Sequence, residues 1–143
     1  MRAALTLPND IGELPRLLEF VTAFAGRSRL PSDEASRLLV VIDELFSNIV
    51  RHGYCGSKAV GKIRIGLSFV RGCLRIAVID DGQAFDPLTA PAPDLDLPTS
   101  LRPTGGLGIH FVKNLVDDAQ YSRRSKRNRL VLIRHIHPAE TAV

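Results

Sequence analysis

The apolar residues of this chain change from helical to alternating spacing between residues 50 and 62, and that switch limits the folds open to it. Before the switch the spacing is helical. Leu14, Leu17, Leu18, Val21 and Phe24 share one face of a helix expected over residues 11–25, which Asn9 or Asp10 can cap and Gly26 can end. A second helix is expected after Pro31, with Ser32 as candidate N-cap and Asp33 and Glu34 in its first turn. Leu38, Ile42, Leu45 and Ile49 form its apolar stripe, which runs out at Gly53 or Gly56. After the switch the period is two. Ile63, Ile65, Leu67 and Phe69 alternate with polar or small residues, and Arg71-Gly72 turns the chain. Leu74, Ile76 and Val78 then face inward, so Asp80, next on that face, is expected at the buried end of its strand.

Residues 1–7 can add a short strand. A third helix is expected over 109–116, and closing strands near 119–124 and 129–136. The order β-α-α-β-β-loop-α-β-β, with strand pairs joined by tight turns, predicts an α+β fold: a two-layer α/β sandwich, its mixed, mainly antiparallel sheet carrying helices on one face. The 143 residues, 45% hydrophobic and 24% charged, suit one soluble domain over 1–143. No apolar run approaches the ~20 residues needed to cross a bilayer. The stretch before Pro8 is too short for a secretory signal, so a cytoplasmic protein is expected. Cys55 and Cys73 form no CxxC pair, which fits a reducing compartment and argues against a disulfide framework or zinc site.

The net charge of +4 is local. Five of the 19 basic residues lie in 123–129, leaving 14 against 15 acidic. Such a run reads either as a patch for nucleic acid or an acidic partner, or as a solvated hairpin turn. The turn is favoured, because the run interleaves no aromatics and lies on no recognition helix.

Three groups of residues can carry chemistry. Glu44 and Asn48, four apart, fall on one helix face beside the core stripe, and Arg51 and His52 continue that face. A carboxylate there can act as a general base, and an amide oxygen can ligate magnesium. A solvated helix face explains the same pattern. Asp80-Asp81-Gly82-Gln83-Ala84 puts a strand-end carboxylate next to small residues. It can accept a hydrogen bond from an exocyclic amine while Gly82 and Ala84 admit a flat ring; an acidic turn explains it equally. Gly105-Gly106-Leu107-Gly108 precedes a helix start, where free N–H groups suit phosphate. A hinge is the bland reading. No strand feeds these glycines and no Gly-Lys-Ser/Thr follows them, so neither a Rossmann turn nor a P-loop fits. Between the last two groups, residues 87–104 hold five prolines and no pattern, the make-up of a binding loop or lid.

In this order the three groups lay out one nucleotide site, and here the chain strongly resembles the GHKL (Bergerat-fold) ATPases. Glu44-x-x-x-Asn48 looks like the N box, Asp80-x-Gly82-x-Ala84 the G1 box, Gly106-x-Gly108 the G2 box, and 87–104 the ATP lid. The resemblance covers roughly residues 7–136. Leu7-Pro8, the run Asp43 to Asn48 with His52-Gly53-Tyr54, and Asp118-Ala119-Gln120-Tyr121 look like the anti-sigma factor serine kinase branch. The resemblance implies ATP and Mg²⁺ as cofactors. It implies Glu44 as general base toward a substrate serine, and Asn48 as the magnesium ligand. Asp80 would bind the adenine amine, with Gly82 and Ala84 lining the base pocket. Gly106, Leu107, Gly108 and Ile109 would wrap the phosphates, and Arg51, with His52 beside it, would lie within reach of them. It further implies a STAS-type anti-anti-sigma protein as substrate, a sigma factor as sequestered partner, and a homodimer. No membrane is expected, and nucleic acid is not expected as a ligand. Ala84 stands where the G1 box usually has its second glycine, and Arg102 is the one obvious basic residue of the lid. Both departures point to weak kinase activity. The alternative is a partner-switching module that binds, with or without ATP, and phosphorylates nothing.

Overall fold

The strands form where apolar side chains alternate. The computed structural model describes residues 1–53, 61–89 and 112–137. Five strands, β1 (Arg2–Pro8), β2 (Lys62–Val70), β3 (Cys73–Asp80), β4 (Asp118–Arg124) and β5 (Arg127–His135), build one sheet in the order β1-β2-β3-β5-β4. Each described ladder is antiparallel, so among the described residues the sheet holds none of the parallel pairing a mixed sheet would contain. Its inward face presents Leu7, Ile63, Ile65, Leu67, Leu74, Ile76, Val78, Leu130 and Leu132, all buried. Two helices cover that face, α1 (Leu14–Arg27) and α2 (Ser32–Asn48). Leu17, Val21 and Phe24 of α1 are buried as the helical spacing requires. The buried stripe of α2 is wider than expected, because Val41 and Phe46 join Leu38, Ile42 and Leu45. Of the expected third helix, residues 112–115 are helical and 109–111 lie outside the described residues. No described helix is long and apolar enough to cross a membrane.

The helix ends differ from the sequence reading. Asp10 caps a 3-10 turn, Ile11–Glu13, by accepting the Gly12 N–H at 2.9 Å, and α1 follows with Pro15 in its first turn. Asn9 instead accepts the Gly61 N–H at 3.1 Å, tying the approach to α1 onto the start of β2. Gly26 does not end the helix. The chain passes it to Arg27 and stops where Arg29 turns left-handed, at φ 55°. The Leu30 N–H then reaches the Ala25 carbonyl and the Arg29 N–H the Gly26 carbonyl, the bonding of a Schellman stop. Gly26 is thus an exposed interior glycine, and a Cβ there would meet nothing within 4 Å. Gly26→Ala is expected to stabilise the protein by about 0.5–1 kcal/mol, read as a higher midpoint in urea unfolding.

Pro31, not Ser32, fills the cap position of α2, and Ser32 is the first helical residue. Glu34 in that first turn is buried. It takes Nη2 and Nε of Arg134 in β5, at 2.9 and 3.2 Å, which pins the helix layer to the last strands. The basic run forms the β4–β5 hairpin as expected. Ser125 and Lys126 both have positive φ and Arg124 pairs with Arg127, a two-residue turn of the mirror-image type that matches strand twist.

Candidate functional site

The site is assembled where α2 ends against the ends of β3 and β5. The burial of β3 alternates strictly, so Asp80 takes the inward position after Leu74, Ile76 and Val78 and is 6% exposed. The register sets it between Ile63 of β2 and Asn128 of β5. Asn128 is equally an inward position, two residues before Leu130, and is 5% exposed. α2 loosens after Asn48 into a π-helical turn, Ile49–Gly53, a distortion frequent at functional sites. That turn carries the Gly53 carbonyl up to the loop following β3.

One backbone bond and one side-chain bond lock this junction. The Gln83 N–H donates to the Gly53 carbonyl at 2.7 Å, and Gln83 Nε2 donates to the His52 carbonyl at 2.7 Å. A Cβ on Gly82 would stand 2.5 Å from the Gly53 oxygen and 3.0 Å from Asp80 Oδ1. Glycine at 82 is therefore required by the fit of this loop on the π-helical turn.

Asp80 Oδ1 accepts two bonds, from the Gly82 N–H at 2.9 Å and from Asn128 Nδ2 at 3.0 Å. Among the described residues no donor reaches Oδ2. Burial pushes the Asp80 carboxyl above the usual carboxylate range. The Asn128 amide and the Gly82 N–H oppose that shift, while nearby Asp81 adds to it and Arg123 subtracts from it.

A cleft opens over this carboxylate. Leu45, Ile49, Val78 and Leu130 supply apolar walls, and Phe85 and Pro87 border it from the loop after β3. Asn48, Asp80, Tyr121 and Asn128 supply its polar groups, and it is partly open to solvent. An apolar slot with one acceptor on its floor suits a flat heterocycle bearing an exocyclic amine. Asn48 is 4% exposed, and its Nδ2 is buried with no partner among the described residues.

The sequence-derived residues thus separate. Asn48 and Asp80 meet in the cleft. Glu44 lies one helical turn before Asn48, half-buried, and is not among the described residues that line the cleft. Arg51 is exposed; His52 is half-buried, with its ring 5.8 Å from that of Phe85. Gly82 is buried against Gly53, and Ala84 is exposed. Gly106, Leu107, Gly108 and Ile109 lie outside the described residues, as do Tyr54, Cys55, Gly56 and residues 90–104 of the expected lid. Residues 87–89 form a 3-10 turn.

Sequence reading missed Asn128, Tyr121 and Arg123 as site residues. Arg123 Nη1 donates to the Gly82 carbonyl at 3.1 Å and to Asn128 Oδ1 at 2.9 Å, and the Tyr121 hydroxyl donates to the same Oδ1. The available signal was the two-residue period of Leu130 and Leu132, which extends back to Asn128.

Comparison with known proteins bears on this arrangement. Residues 7–134 match the family described as "Histidine kinase-like ATPase domain". The chain is 31% identical over 100 residues to a protein named serine-protein kinase RsbW from Bacillus mycoides, covering 67% of this chain and 61% of the relative. A Bacillus cereus protein of the same name is 32% identical over 101 residues, with the same coverage. The chain thus spans about three fifths of the length of these relatives. Among solved structures, the RsbU and RsbW domains of a Mycobacterium tuberculosis protein align with all of this chain and 35% of theirs, at 18% identity and TM-score 0.70. A blue-light activated histidine kinase domain from Erythrobacter litoralis aligns with 87% of this chain and 60% of its own, at 18% identity and TM-score 0.56. These two likenesses concern the fold.

Proposed function

The chain belongs to the histidine kinase-like ATPase domain family, and from that premise we propose that it is an ATP-dependent serine kinase of the anti-sigma type. In this reading it phosphorylates a STAS-type anti-anti-sigma protein, sequesters a sigma factor, and works as a homodimer in the cytoplasm. The observation that carries the reading is the buried Asp80 on the floor of an apolar cleft, its Oδ1 saturated by the protein and its Oδ2 left for a donor. The adenine amine is such a donor. Asn48, buried in the cleft lining, would hold Mg²⁺ through its amide oxygen, the hard donor that ion prefers; its Nδ2 takes no part in that bond. The ion would supply neutralisation of phosphate charge. Gly106, Leu107, Gly108 and Ile109 would give backbone N–H groups to the phosphates, and Arg51, exposed on the π-helical turn after α2, would contact them with His52 beside it. Ala84, exposed beside the cleft, would leave the base room to enter.

Glu44 would accept the proton of the substrate serine as its oxygen bonds to the γ-phosphorus and ADP leaves. The phosphoserine product carries nearly two negative charges, enough to break a close interface with the kinase. The test is calorimetry of ATP binding with and without magnesium. It is followed by phosphoserine detection on a STAS-domain protein mixed with the chain and ATP. Magnesium-dependent binding with phosphoserine formation is expected. Binding without transfer would leave a partner-binding module, and no binding would sink the nucleotide reading.

A further inference from the structure

Asn128 belongs to the basic run that reads as a turn, yet its side chain is among the most constrained polar groups described here. Its Oδ1 accepts from the Tyr121 hydroxyl and from Arg123 Nη1, so the oxygen end of the amide is fixed. Its Nδ2 must then point the other way. It spends its two hydrogens on the Gln83 carbonyl at 2.8 Å and Asp80 Oδ1 at 3.0 Å. The amide cannot turn over without setting its NH₂ against the Arg123 guanidinium and the Phe85 N–H, which approaches Oδ1 at 3.5 Å, and its oxygen against two acceptors; the Tyr121 hydroxyl alone could adapt. We propose that Asn128, locked by Tyr121 and Arg123, is the positioning residue of the base pocket. It occupies Oδ1 of Asp80 so that only an ionised Oδ2 faces the cleft, and so selects a base that presents a donor there. This rests on the nucleotide reading above.

The chemistry follows from what Asp80 would do alone. A desolvated carboxylate tends to take up a proton, and a protonated carboxyl donates as readily as it accepts. It would then tolerate a base with a carbonyl where adenine has its amine. Donors on Oδ1 oppose that protonation. The titratable and charged groups around Asp80 are Asp81 beside it, Tyr121 and Arg123 from β4, and His52 of the π-helical turn, whose ring rests on Phe85. Arg123 and Asn128 favour the ionised form and Asp81 opposes it.

The test has a ligand-free and a ligand-bound arm. Carboxyl ¹³C NMR follows the titration of Asp80 in the apo protein, for wild type, Asn128→Ala, Asn128→Ser and Arg123→Met. Calorimetry then compares ATP with inosine triphosphate, which carries the carbonyl, across a pH series. In Asn128→Ala the Asp80 midpoint is expected to rise, and ATP affinity near neutral pH to fall about tenfold. Affinity should recover in part at higher pH, and the preference for ATP over inosine triphosphate should shrink. Serine retains one donor and should fall between alanine and wild type. Arg123 is exposed, so Arg123→Met tests the lock without threatening the core, with a smaller rise expected. A merely structural role would weaken both nucleotides equally at every pH. An Asp80 midpoint unmoved in both Asn128→Ala and Arg123→Met would overturn the inference. A wild type that binds no ATP would instead sink the nucleotide reading, while the apo titration still decides what Asn128 does to Asp80.

Discussion

Replacing Asp80 with asparagine is expected to give a protein that is more stable and no longer binds ATP. The geometry separates the two effects. Both hydrogen bonds the protein makes to Asp80 fall on Oδ1, and a carboxamide oxygen in that place accepts them equally well. What changes is the other atom, where an NH₂ replaces an acceptor at the cleft. It would meet the adenine amine donor to donor, and a buried polar mismatch of that kind costs about a hundredfold or more in affinity. The fold meanwhile loses a desolvated charge, which is harder to bury than an amide. The folded pKa of Asp80 lies above the ordinary value of 3.8, so above that window the carboxylate is ionised in both states and the native state bears the penalty. As pH falls through the folded value the native state takes up the proton first, and wild type regains stability. The advantage of the variant should therefore be largest near neutral pH, a few degrees in thermal midpoint, and should vanish in acid. Thermal unfolding over a pH series with ATP calorimetry decides it. Unchanged ATP affinity would remove Asp80 from base recognition, and a variant less stable at neutral pH would show that its bonds outweigh its burial.

How far such a site can be read before folding depends on which residues obey a short period. Asp80 was legible because it continues the alternation of Leu74, Ile76 and Val78 by one step. Asn128 obeys the same rule on β5 and was still missed. Arginines flank it at 127 and 129, and charge density outweighed periodicity in a stretch where alternate residues face opposite sides. The two-layer architecture follows from the order of helical and alternating segments, whereas strand order does not, since β5 lies between β3 and β4. Interactions across long separations leave no local trace: Glu34 reads as a helix-start acid, and its partner Arg134 is 100 residues away. Gly82 reads in the sequence as room for a ligand; in the fold glycine is required there by the Gly53 carbonyl, placed by a π-helical turn that no spacing rule foretells. Gly26 looked like a helix stop because glycine favours that role, and the Schellman geometry formed around Arg29 instead.

The largest kinetic effect is expected at Glu44, where glutamine should lower phosphoryl transfer about 10²–10⁴-fold while leaving ATP binding intact. The adjacent carboxylate provides the contrast. Asp43 is engaged within its own helix, its Oδ1 accepting the Ser47 hydroxyl at 3.1 Å. Glu44 makes no hydrogen bond among the described residues and stays half-buried one turn before Asn48, beside the cleft but not in its lining. A carboxylate so placed is clear of the cleft lining, the position the proposed base would need to meet an incoming hydroxyl. Glutamine keeps the shape and the polarity and removes the capacity to take a proton. Single-turnover transfer from ATP to a STAS-domain serine separates chemistry from binding. Loss of transfer in Glu44→Gln with unchanged ATP affinity, and near wild-type transfer in Asp43→Asn, is the expected pair of results. Transfer surviving in Glu44→Gln would take the base away from this residue. Loss in both variants alike would mean that the two carboxylates act through the geometry of α2 and not through a proton held at Glu44.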